Sequence, residues 1–471
     1  MISQKEKKFE GIYNDLVELI GARKVSNKIV DLLSYSHDYW PITLFWLLEG
    51  KVPSLPDVVV FPEKTEDVVK VVRYAYENDV PLYPYGGGTG VLGGAVPEYG
   101  GIVIDLKKMR KIQIFEEDLI VEVEAGVNGM LLETHLNKKG FTLGHFPQSL
   151  YSSTVGGWIS TKAIGQFSTK YGGIENMLIG LEVVVPPGEI LHFKPNPRAA
   201  VGPDLKGLFI EAEGMLGIIT RAYLRIWPYP EKRILMSFIS DTLADALEAV
   251  KNILRRGAKP AVIRIYDKVE TRKWFHMIKR AKGKVGTIII LEGDSILVEA
   301  EKHIVEEEFK DAIPTGEEPA KYWLEKRFDV KELSEFLPLG IVIDTIEVSV
   351  PWSKAVDLYN DVINAMRNVE GTLIAFAHAS HFYPQGVCFY FIFGGIPPKE
   401  KSPLDYYREI WNATMRATLR NGGSISHHHG IGRMRAMWIA EDLGKSIFTF
   451  LKKIKSAVDE KNIMNRGNMG V

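Results

Sequence analysis

The sequence predicts an α+β protein with two main units, and three observations support this fold class. Strand-like and helix-like segments alternate in a β-α-β rhythm from residue 56 to about residue 230. Longer strands and helices follow in residues 231–420, a pattern typical of an α+β domain with a largely antiparallel sheet, laid over the first unit as a cap. The length of 471 residues suits two or three domains with ample core.

Helices are predicted to open the chain. Within residues 5–35, apolar side chains recur at helical spacing, at Phe9, Ile12, Leu16 and Ile20. The pattern breaks at residues 36–41, where His37 stands beside Asp38. Such a pair is either catalytic or, as is more usual, a local hydrogen bond.

The first unit follows from short apolar runs and one amphipathic helix. Its strand candidates are residues 57–61, 102–106, 119–124, 181–185 and 222–226. Residues 68–78 form a helix behind a capping segment at 65–67, and residues 128–139 form another that ends at Gly140. Residues 181–190 read as a hairpin around Pro186-Pro187-Gly188.

A glycine run at residues 84–94 is the densest local signal in the chain. Six of its eleven residues are glycine, and it lies between two strand candidates. Glycine lacks a Cβ, so successive N–H groups can turn toward one bound anion, as in a diphosphate cradle. The run lacks the Gly-Lys-Ser/Thr ending of a Walker loop, and Pro97 prevents the immediate helix of a Rossmann loop. A plain tight turn is the alternative.

Two further stretches are rich in small residues. Residues 144–172 alternate hydroxyl side chains with glycine and carry few charges, so their backbone can press against a flat ring system. Residues 422–433 are again glycine-rich and contain three adjacent histidines. Helices follow to about residue 463, and this tail is predicted to return to the first unit.

The second unit is predicted from alternating strand and helix patterns. Its strand candidates are residues 236–239, 262–266, 287–291, 345–350 and 390–393. Its helix candidates are residues 243–255, 298–309, 355–368 and 403–421.

Composition excludes several classes of protein. The net charge of -1 gives no global basic field for nucleic acid. One cysteine, Cys388, rules out an intrachain disulfide and fits a reducing compartment. No apolar run reaches the roughly 18–20 residues of a membrane span, and the charged start does not resemble a signal peptide. We expect a cytoplasmic protein, with peripheral attachment to a membrane left open.

Several motifs together resemble the flavin-binding half of the vanillyl-alcohol-oxidase superfamily. They are the glycine run, residues 153–157 (Ser-Thr-Val-Gly-Gly) and residues 202–220, which include Glu213-Gly214-x-x-Gly217-Ile218-Ile219-Thr220. The resemblance covers residues 36–465. It implies a two-part FAD-binding domain of the PCMH type with an α+β cap that carries an antiparallel sheet. It also implies FAD held non-covalently, because the glycine run has no histidine where some members attach the flavin.

The implied domain plan has four parts. Residues 1–50 form N-terminal helices, 51–230 the FAD-binding domain, 231–420 the cap, and 421–471 a segment that returns to the FAD-binding domain. The cofactor-binding residues implied by the motifs are Pro84, Tyr85, Gly86, Gly87, Gly88, Thr89, Gly90, Val91, Pro147, Ser149, Ser153, Thr154, Gly156, Gly157, Ser160, Gly165, Gln166, Ser168, Tyr171, Glu213, Gly214, Gly217, Ile218 and Ile219.

Within the superfamily, the chain is similar to the D-lactate dehydrogenase and glycolate oxidase group, and especially to alkyl-dihydroxyacetonephosphate synthases. The synthase-like motifs include Gly144-His145-x-Pro147-x-Ser149, the segment holding Tyr390, and the loop holding His427, His428 and His429. Arg264 lies in a matching stretch of the cap.

Two departures from the family patterns weaken a direct transfer of function. The synthases carry an anion-binding arginine near the position of Leu333 in this chain, where Arg327 and Lys331 are close but out of register. The metal-binding loop of the dehydrogenases is reduced here to His378 and His381 in residues 376–381, so no metal is predicted.

The predicted catalytic residues are His428, with His427 or His429, then Tyr390 and His145. A neutral imidazole can accept a hydroxyl proton near physiological pH, and the Tyr390 phenol can bond a substrate oxygen. The alternatives are a solvated loop, a core tyrosine and a histidine bonded to backbone. Three adjacent histidines do not have the ligand spacing of a usual metal site.

Arg264 and Arg433 are the predicted substrate-binding residues. A guanidinium can hold a carboxylate or phosphate with two hydrogen bonds. For Arg264, a structural salt bridge with Asp267 or with a neighbouring strand is the alternative.

Two enzymatic functions follow from these residues. One is an FAD-dependent dehydrogenase for a D-2-hydroxy acid such as D-lactate, passing electrons to a quinone or a redox protein. The other is a redox-neutral exchange of an acyl for an alkyl chain on dihydroxyacetone phosphate. A binding protein without catalysis is the third possibility. The sequence leaves the oligomeric state open, with a homodimer as one option.

Overall fold

The computed structural model describes residues 2–329, 336 and 339–471. In chain order its helices are α1 (Ile2–Ile20), α2 (Ile29–Ser34), α3 (Pro41–Leu48), α4 (Thr65–Glu77), α5 (Gly129–Asn137), α6 (Val155–Ser160), α7 (Ser168–Tyr171), α8 (Ile174–Met177), α9 (Leu243–Arg255), α10 (Thr271–Trp274), α11 (Ser295–Glu308), α12 (Glu318–Lys326), α13 (Ala355–Arg367), α14 (Pro403–Arg420), α15 (Ile439–Asp442) and α16 (Lys445–Val458). Within the described residues, no helix is long and apolar enough to cross a bilayer.

The first sheet contains β1 (Val25–Ser26), β2 (Val58–Val60), β3 (Leu82–Tyr85) and β4 (Ile102–Asp105) in the order β1-β2-β4-β3. Strand β4 runs parallel to both β2 and β3. Helix α4 makes the crossover from β2 to β3, as the β-α-β rhythm predicts. The glycine run follows β3 directly, so its backbone lies at the carboxyl ends of parallel strands, a frequent place for ligands.

A second, antiparallel sheet completes the first half. It contains β5 (Ile112–Phe115), β6 (Ile120–Glu124), β8 (Leu178–Val185), β9 (Glu189–Phe193) and β10 (Ile218–Arg225), in the order β5-β6-β10-β8-β9. The predicted hairpin is β8–β9. The β-α-β rhythm predicted from residue 56 to about residue 230 therefore holds only for the first sheet. Strands β7 (Phe141–Thr142) and β11 (Trp227–Pro228) pair separately.

The second half is built on an antiparallel sheet, as predicted. The sheet has the order β15-β12-β14-β13-β17-β18-β16. Its strands are β12 (Lys232–Ser240), β13 (Val262–Tyr266), β14 (Val285–Gly293), β15 (Ile313–Pro314), β16 (Val342–Pro351), β17 (Thr372–Phe382) and β18 (Gly386–Gly395). Helix α9 and strand β13 have the predicted bounds. Strand β17 was not predicted, and it carries His378 and His381.

The molecule has two main hydrophobic clusters, one mostly from each half, and each also includes residues of the other half. The last segment of the chain contributes to both clusters. Leu82 N donates to Ile463 O at 2.8 Å, which joins the end of the chain to β3. Lys455 Nζ donates to Met215 O at 2.9 Å. Trp438 packs in the core of the second half. The predicted boundaries at residues 50, 230 and 420 stay predictions.

Candidate active site

The glycine run packs its backbone against the loop that precedes α6. A Cβ on Gly87 would overlap the carbonyl oxygen of Ser152. Gly88 has φ +65°, a conformation that favours glycine, and a Cβ there would overlap the Tyr85 hydroxyl. Glycine is therefore required at both positions, and the bare backbone leaves N–H groups for an anion.

Thr154 Oγ1, which a Cβ on Gly86 would overlap, is buried with no hydrogen-bond partner in the described part of the chain. The same holds for both ring nitrogens of His145. His145 follows β7, and its ring lies edge-on to Trp158 with centroids 4.6 Å apart. Burial lowers the pKa of His145 to about 3, so the imidazole is neutral. Unsatisfied polar groups next to a glycine cradle fit a ligand that carries phosphates and ring heteroatoms, as FAD does.

The predicted cofactor residues lie on neighbouring segments of the first half. Pro84 and Tyr85 end β3, and Gly86 to Val91 form the loop after it. The others lie before and within α6 (Pro147, Ser149, Ser153, Thr154, Gly156, Gly157, Ser160), around the start of α7 (Gly165, Gln166, Ser168, Tyr171), and before and at the start of β10 (Glu213, Gly214, Gly217, Ile218, Ile219). A Cβ on Gly214 would stand 2.7 Å from Pro84 Cγ, so the first and last of these segments touch.

Some of these side chains are engaged within the protein instead. Tyr171 donates to Glu292 Oε1 at 2.7 Å, and Ser153 Oγ accepts from Trp158 Nε1 at 2.8 Å. Each of these polar atoms therefore has a buried partner within the protein, and the role of the two residues in cofactor binding stays a prediction.

The carboxylate of Glu213 binds the C-terminal segment, and the cofactor contact expected for this residue stays a prediction. It accepts from Ile431 N at 2.7 Å, from Gly432 N at 3.0 Å and from Asn468 Nδ2 at 2.8 Å. Gly430 precedes these residues with φ +85°. Glu213 therefore positions the loop that follows the three histidines.

A second buried carboxylate, Glu347 on β16, holds the histidines themselves. It accepts from His428 N at 3.0 Å and from His429 N, and it pairs with the buried Arg435, whose Nη1 is 3.1 Å from Oε1. Burial raises the pKa of Glu347, but Arg435, His429 and His428 outweigh it and bring the pKa well below its usual value. An ionised Glu347 thus fixes the backbone of residues 428–429.

Tyr390 on β18 lies within a cluster of aromatic rings. His378 stacks on it with centroids 5.1 Å apart, His428 stacks at 6.1 Å, and His429 meets it edge-on at 5.5 Å. Thr345 Oγ1 donates to the Tyr390 hydroxyl at 2.9 Å. The structure thus brings Tyr390 together with the histidine loop, as predicted.

His427 links His428 to Tyr383. The Tyr383 hydroxyl is 2.7 Å from His427 Nε2, and His427 Nδ1 is 2.9 Å from His428 Nδ1. The three groups form a hydrogen-bonded chain that leaves Nε2 of His428 outside it. In one of its two tautomeric arrangements His428 Nε2 carries a lone pair.

A strained residue, His381, completes the cluster. It has φ 54° inside β17, where the register shifts between Ser380 and Phe382. A bulge turns one side chain to the other face of a strand, and here the His381 ring stacks on His427 with centroids 5.3 Å apart. Its Nδ1 lies 2.7 Å from Ser168 Oγ, so Ser168 links the two halves. The cofactor contact expected for Ser168 stays a prediction.

Burial keeps these imidazoles neutral at physiological pH. It lowers the pKa of His427 to about 4 and brings those of His428 and His381 well below the ordinary value. It also raises the pKa of Tyr390. The cluster therefore presents neutral rings and a protonated phenol, which can exchange protons with a bound alcohol.

Arg264 on β13 contacts the cluster through His378. Its Nη2 is 2.5 Å from His378 Nε2, and its Nε donates to the Tyr266 hydroxyl at 2.9 Å. The alternative pairing with Asp267 is wrong, since that carboxylate accepts from Tyr359 and from the backbone.

Arg433, the other predicted substrate-binding residue, bonds other parts of the protein, and its contact with substrate stays a prediction. Its guanidinium pairs with Glu98 and donates to Val96 O at 2.9 Å and to Arg466 O at 3.3 Å. These bonds tie the C-terminal segment to the loop after the glycine run.

Two sets of side chains place metal-ligand atoms within 4.8 Å of one another: Cys388 with His427 and His428, and Glu347 with His428 and His429. Glu347 already pairs with Arg435 and with backbone N–H groups, so it is a poor ligand. The absence of a metal stays a prediction.

A cavity of about 780 Å³ opens beside the cluster. Tyr383 and His427 line it from the second half and the C-terminal segment, and Lys162 and Glu211 line it from the first half. Burial raises the pKa of Glu211 to about 7. The hydrogen-bonded chain from His428 therefore ends at a cavity that also holds a lysine and a carboxyl group.

Sequence reasoning missed Glu347, His381 and Tyr383 as parts of the site. It named Arg435 only as a further anion candidate at the mouth, whereas the Arg435 guanidinium pairs with Glu347. One usable signal was Glu347 itself, a carboxylate within an apolar strand pattern, which requires a buried partner. Leu333 and Lys331, considered as the synthase arginine position, lie outside the described residues.

The fold and the site define a flavoprotein with a two-part cofactor domain and a cap. Residues 56–194 match the model of the FAD binding domain, and residues 229–469 match that of the C-terminal domain of FAD linked oxidases. The chain therefore belongs to the FAD-linked oxidase family, and FAD is its cofactor. Non-covalent attachment stays a prediction.

Relatives in the family differ in what their names describe. Alkyldihydroxyacetonephosphate synthase of Caenorhabditis elegans is 30% identical, over 97% of this chain and 83% of its own. Glycolate oxidase subunit GlcD of Bacillus subtilis is 26% identical, over 97% and 96%.

Solved structures agree with the fold. An alkyldihydroxyacetonephosphate synthase structure aligns with a TM-score of 0.82 at 27% identity, over 96% of this chain and 85% of that one. Substrate-bound p-cresol methylhydroxylase aligns with a TM-score of 0.75 at 18% identity, over 99% and 97%, which supports the PCMH-type fold alone.

Proposed function

We propose that this protein oxidises a small D-2-hydroxy acid, such as D-lactate, and passes the electrons to an acceptor other than NAD. The carrying observation is the hydrogen-bonded chain from His428 through His427 to Tyr383, which starts beside Tyr390 and ends at a cavity. Oxidation of an alcohol must remove a hydroxyl proton, and this chain offers both an acceptor and an exit.

Each of four side chains and the cofactor has a separate role in the proposed reaction. His428 Nε2 takes the hydroxyl proton, and the proton passes by way of His427 to Tyr383 at the cavity. The imidazolium formed on the way is stabilised by the nearby Glu347 carboxylate. Tyr390 holds the substrate oxygen, and Arg264 holds its carboxylate. When bound, FAD supplies the two-electron acceptor for the hydride from C2.

A quinone or a redox protein then reoxidises the cofactor. Burial of the histidine cluster supports these proposed roles, since it keeps bulk water away from the reacting carbon. His145, whose ring nitrogens are unpartnered, is proposed to contact the cofactor or substrate directly.

The test is anaerobic mixing of the purified yellow protein with D-lactate, glycolate and related acids, while flavin absorbance is followed. Bleaching that reverses when a dye is added is the expected result. His428→Ala should retain FAD but not bleach, and His303→Ala, whose side chain is 75% exposed, should behave like wild type. No bleaching by any acid of the panel contradicts the proposal.

The second candidate is a redox-neutral exchange like that of the alkyldihydroxyacetonephosphate synthases. It is favoured by 30% identity over nearly the whole chain and by the Arg264, Tyr390 and triple-histidine motifs. Incubation with acyl-dihydroxyacetone phosphate and a fatty alcohol tests it. Ether product without net flavin reduction is the outcome that would replace the first proposal.

A further inference from the structure

Lys107 lies against the glycine run, in the short 3-10 helix (Leu106–Lys108) that follows β4. Its backbone N–H donates to Asp105 Oδ1 at 2.8 Å. Its Nζ is 3.0 Å from Asp105 Oδ2 and donates to the carbonyl oxygen of Gly86 at 3.1 Å. The side chain thus joins the end of β4 to the first glycine of the run.

A buried carboxylate and two aromatic rings hold the Lys107 ammonium in place. Nζ lies 5.1 Å from the ring centres of both Tyr35 and Tyr85, and aromatic faces attract a cation. The Tyr35 hydroxyl donates to Asp105 Oδ2. Burial, followed by this bond, raises the pKa of Tyr35, so the phenol stays protonated. The position of Nζ beside Gly86 is therefore determined by its surroundings.

The bond to Gly86 O sets the direction of the next N–H group. In a trans peptide, the C=O of one residue and the N–H of the next point in opposite directions. Because Lys107 binds the carbonyl of Gly86, the N–H of Gly87 points away from the lysine. This N–H has no acceptor among the residues that the structure describes. It is therefore oriented by the protein and available to an anion.

Tyr85 contacts the run one residue further along. A Cβ on Gly88 would stand 2.1 Å from the Tyr85 hydroxyl, which itself donates to His37 O at 3.0 Å. Side chains thus contact the run at Gly86 and at Gly88, and Gly87 lies between these two contacts.

The charge of Lys107 is largely offset by Asp105. The carboxylate is buried, whereas the lysine side chain is 42% exposed, so solvent also screens the ammonium. A direct attraction between Lys107 and a diphosphate is therefore weak. The orientation of the Gly87 N–H is the larger contribution.

We propose that Lys107 is a positioning residue for the diphosphate of FAD. It holds the carbonyl of Gly86 and thereby directs the N–H of Gly87 toward a phosphate oxygen. Asp105 and Tyr35 contribute indirectly, because they hold Lys107. This role concerns cofactor binding and does not depend on the reaction that the protein catalyses.

The experiment measures the dissociation constant of FAD by equilibrium dialysis of the holoenzyme, with free FAD followed by its fluorescence. Lys107→Met keeps an apolar stem against the two rings and removes the ammonium. We expect it to weaken FAD binding by roughly 10- to 100-fold, the value of one hydrogen bond to a charged group.

Lys108→Met is the matched control. The Lys108 side chain is 43% exposed, and its Nζ lies 3.5 Å from Glu63 Oε1 and not beside the glycine run. This variant should bind FAD as wild type does. Lys107→Arg keeps a charged donor for Gly86 O and should recover most of the affinity that Lys107→Met loses.

A salt series separates positioning from direct attraction. The loss in Lys107→Met should persist at about 1 M salt, where the Debye length is roughly 3 Å. A loss that disappears at this salt concentration would overturn the positioning role, because it would mean that the lysine charge attracts the diphosphate.

Equal FAD affinity of Lys107→Met and wild type also overturns the proposal. If Lys107→Met does not fold, Lys107→Gln decides, because glutamine is polar but neutral and one bond shorter. A several-fold loss then supports the role, and unchanged affinity overturns it. FAD binding requires no turnover, so a failure of hydroxy acids to bleach the flavin would remove the dehydrogenase and leave this result unaffected.

Discussion

Replacing Glu347 with glutamine should both destabilise the protein and displace the catalytic histidines. Glu347 is fully buried and accepts from two backbone N–H groups and from Arg435. Glutamine keeps one acceptor oxygen but turns an NH₂ toward the guanidinium, and it leaves the charge of Arg435 without its carboxylate. Breaking a buried ion pair from one side costs about 3–5 kcal/mol, against a total stability of roughly 5–15 kcal/mol for a domain.

Urea unfolding followed by tryptophan fluorescence measures this loss. Arg435→Gln alone should lose a similar amount, and the double variant should lose less than the sum of the two, because neither charge is then left alone. A Glu347→Gln midpoint that matches the wild-type value would refute the reasoning, since it would mean that Arg435 finds another partner.

The pH dependence provides a second measurement of the same pair. The pKa of Glu347 is lower in the folded protein than its usual value, because Arg435 and the histidines outweigh burial. Its stabilisation is therefore present above about pH 4.3 and is lost as the pH falls. Wild type should lose more stability on acidification than Glu347→Gln, whose side chain does not titrate there.

Three other variants test separate parts of the site. His428→Ala should lower kcat by roughly 10²–10⁴-fold and retain FAD. His303→Ala should retain both FAD and the wild-type kcat, and an equal loss of kcat in the two variants would remove His428 from the mechanism. Gly87→Ala should abolish FAD binding, because its Cβ would overlap a neighbouring carbonyl oxygen. Gly207→Ala, whose Cβ would meet nothing within 4 Å, should keep the yellow colour of bound FAD. A yellow Gly87→Ala protein would contradict the assignment of the glycine run as the FAD-binding loop. Burial raises the pKa of Asp38 to about 7, above its usual value of about 4. The stability of wild type should therefore fall as the pH rises from about 4 to about 7, and Asp38→Asn should flatten this dependence in urea unfolding over the same range. An unchanged pH dependence in Asp38→Asn would contradict this prediction.

Local sequence patterns predicted the helices and strands whose apolar residues follow a regular spacing. Helix α9 has an apolar face at regular spacing, and β13 is a short run of apolar residues, so both have the predicted bounds. Strand β17 was missed because the bulge at His381 interrupts its alternation. Strand β5 was missed because most of it is only partly buried, and it gives a weak pattern.

The candidate site was predicted in part, since motifs name residues but not their partners. Tyr390 and the histidine loop were predicted to work together, and the structure brings them together. Glu213 lies within a motif read as cofactor-binding, yet its carboxylate bonds residues more than two hundred positions away. Such long-range pairing follows from the packing of the two halves, and the residues next to Glu213 in the sequence do not predict it.

The loop of three histidines is held at both ends by buried carboxylates that come from different halves of the molecule. Glu347 on the cap sheet binds the N–H groups of residues 428–429, and Glu213 of the first half binds those of residues 431–432. Because Gly430 is the only residue between these two anchors, a shift of one half against the other must change the backbone there. The position of His428, the proposed proton acceptor, is therefore coupled to the fit between the halves. A cofactor that binds in the first half can influence this histidine through Glu213 without touching it.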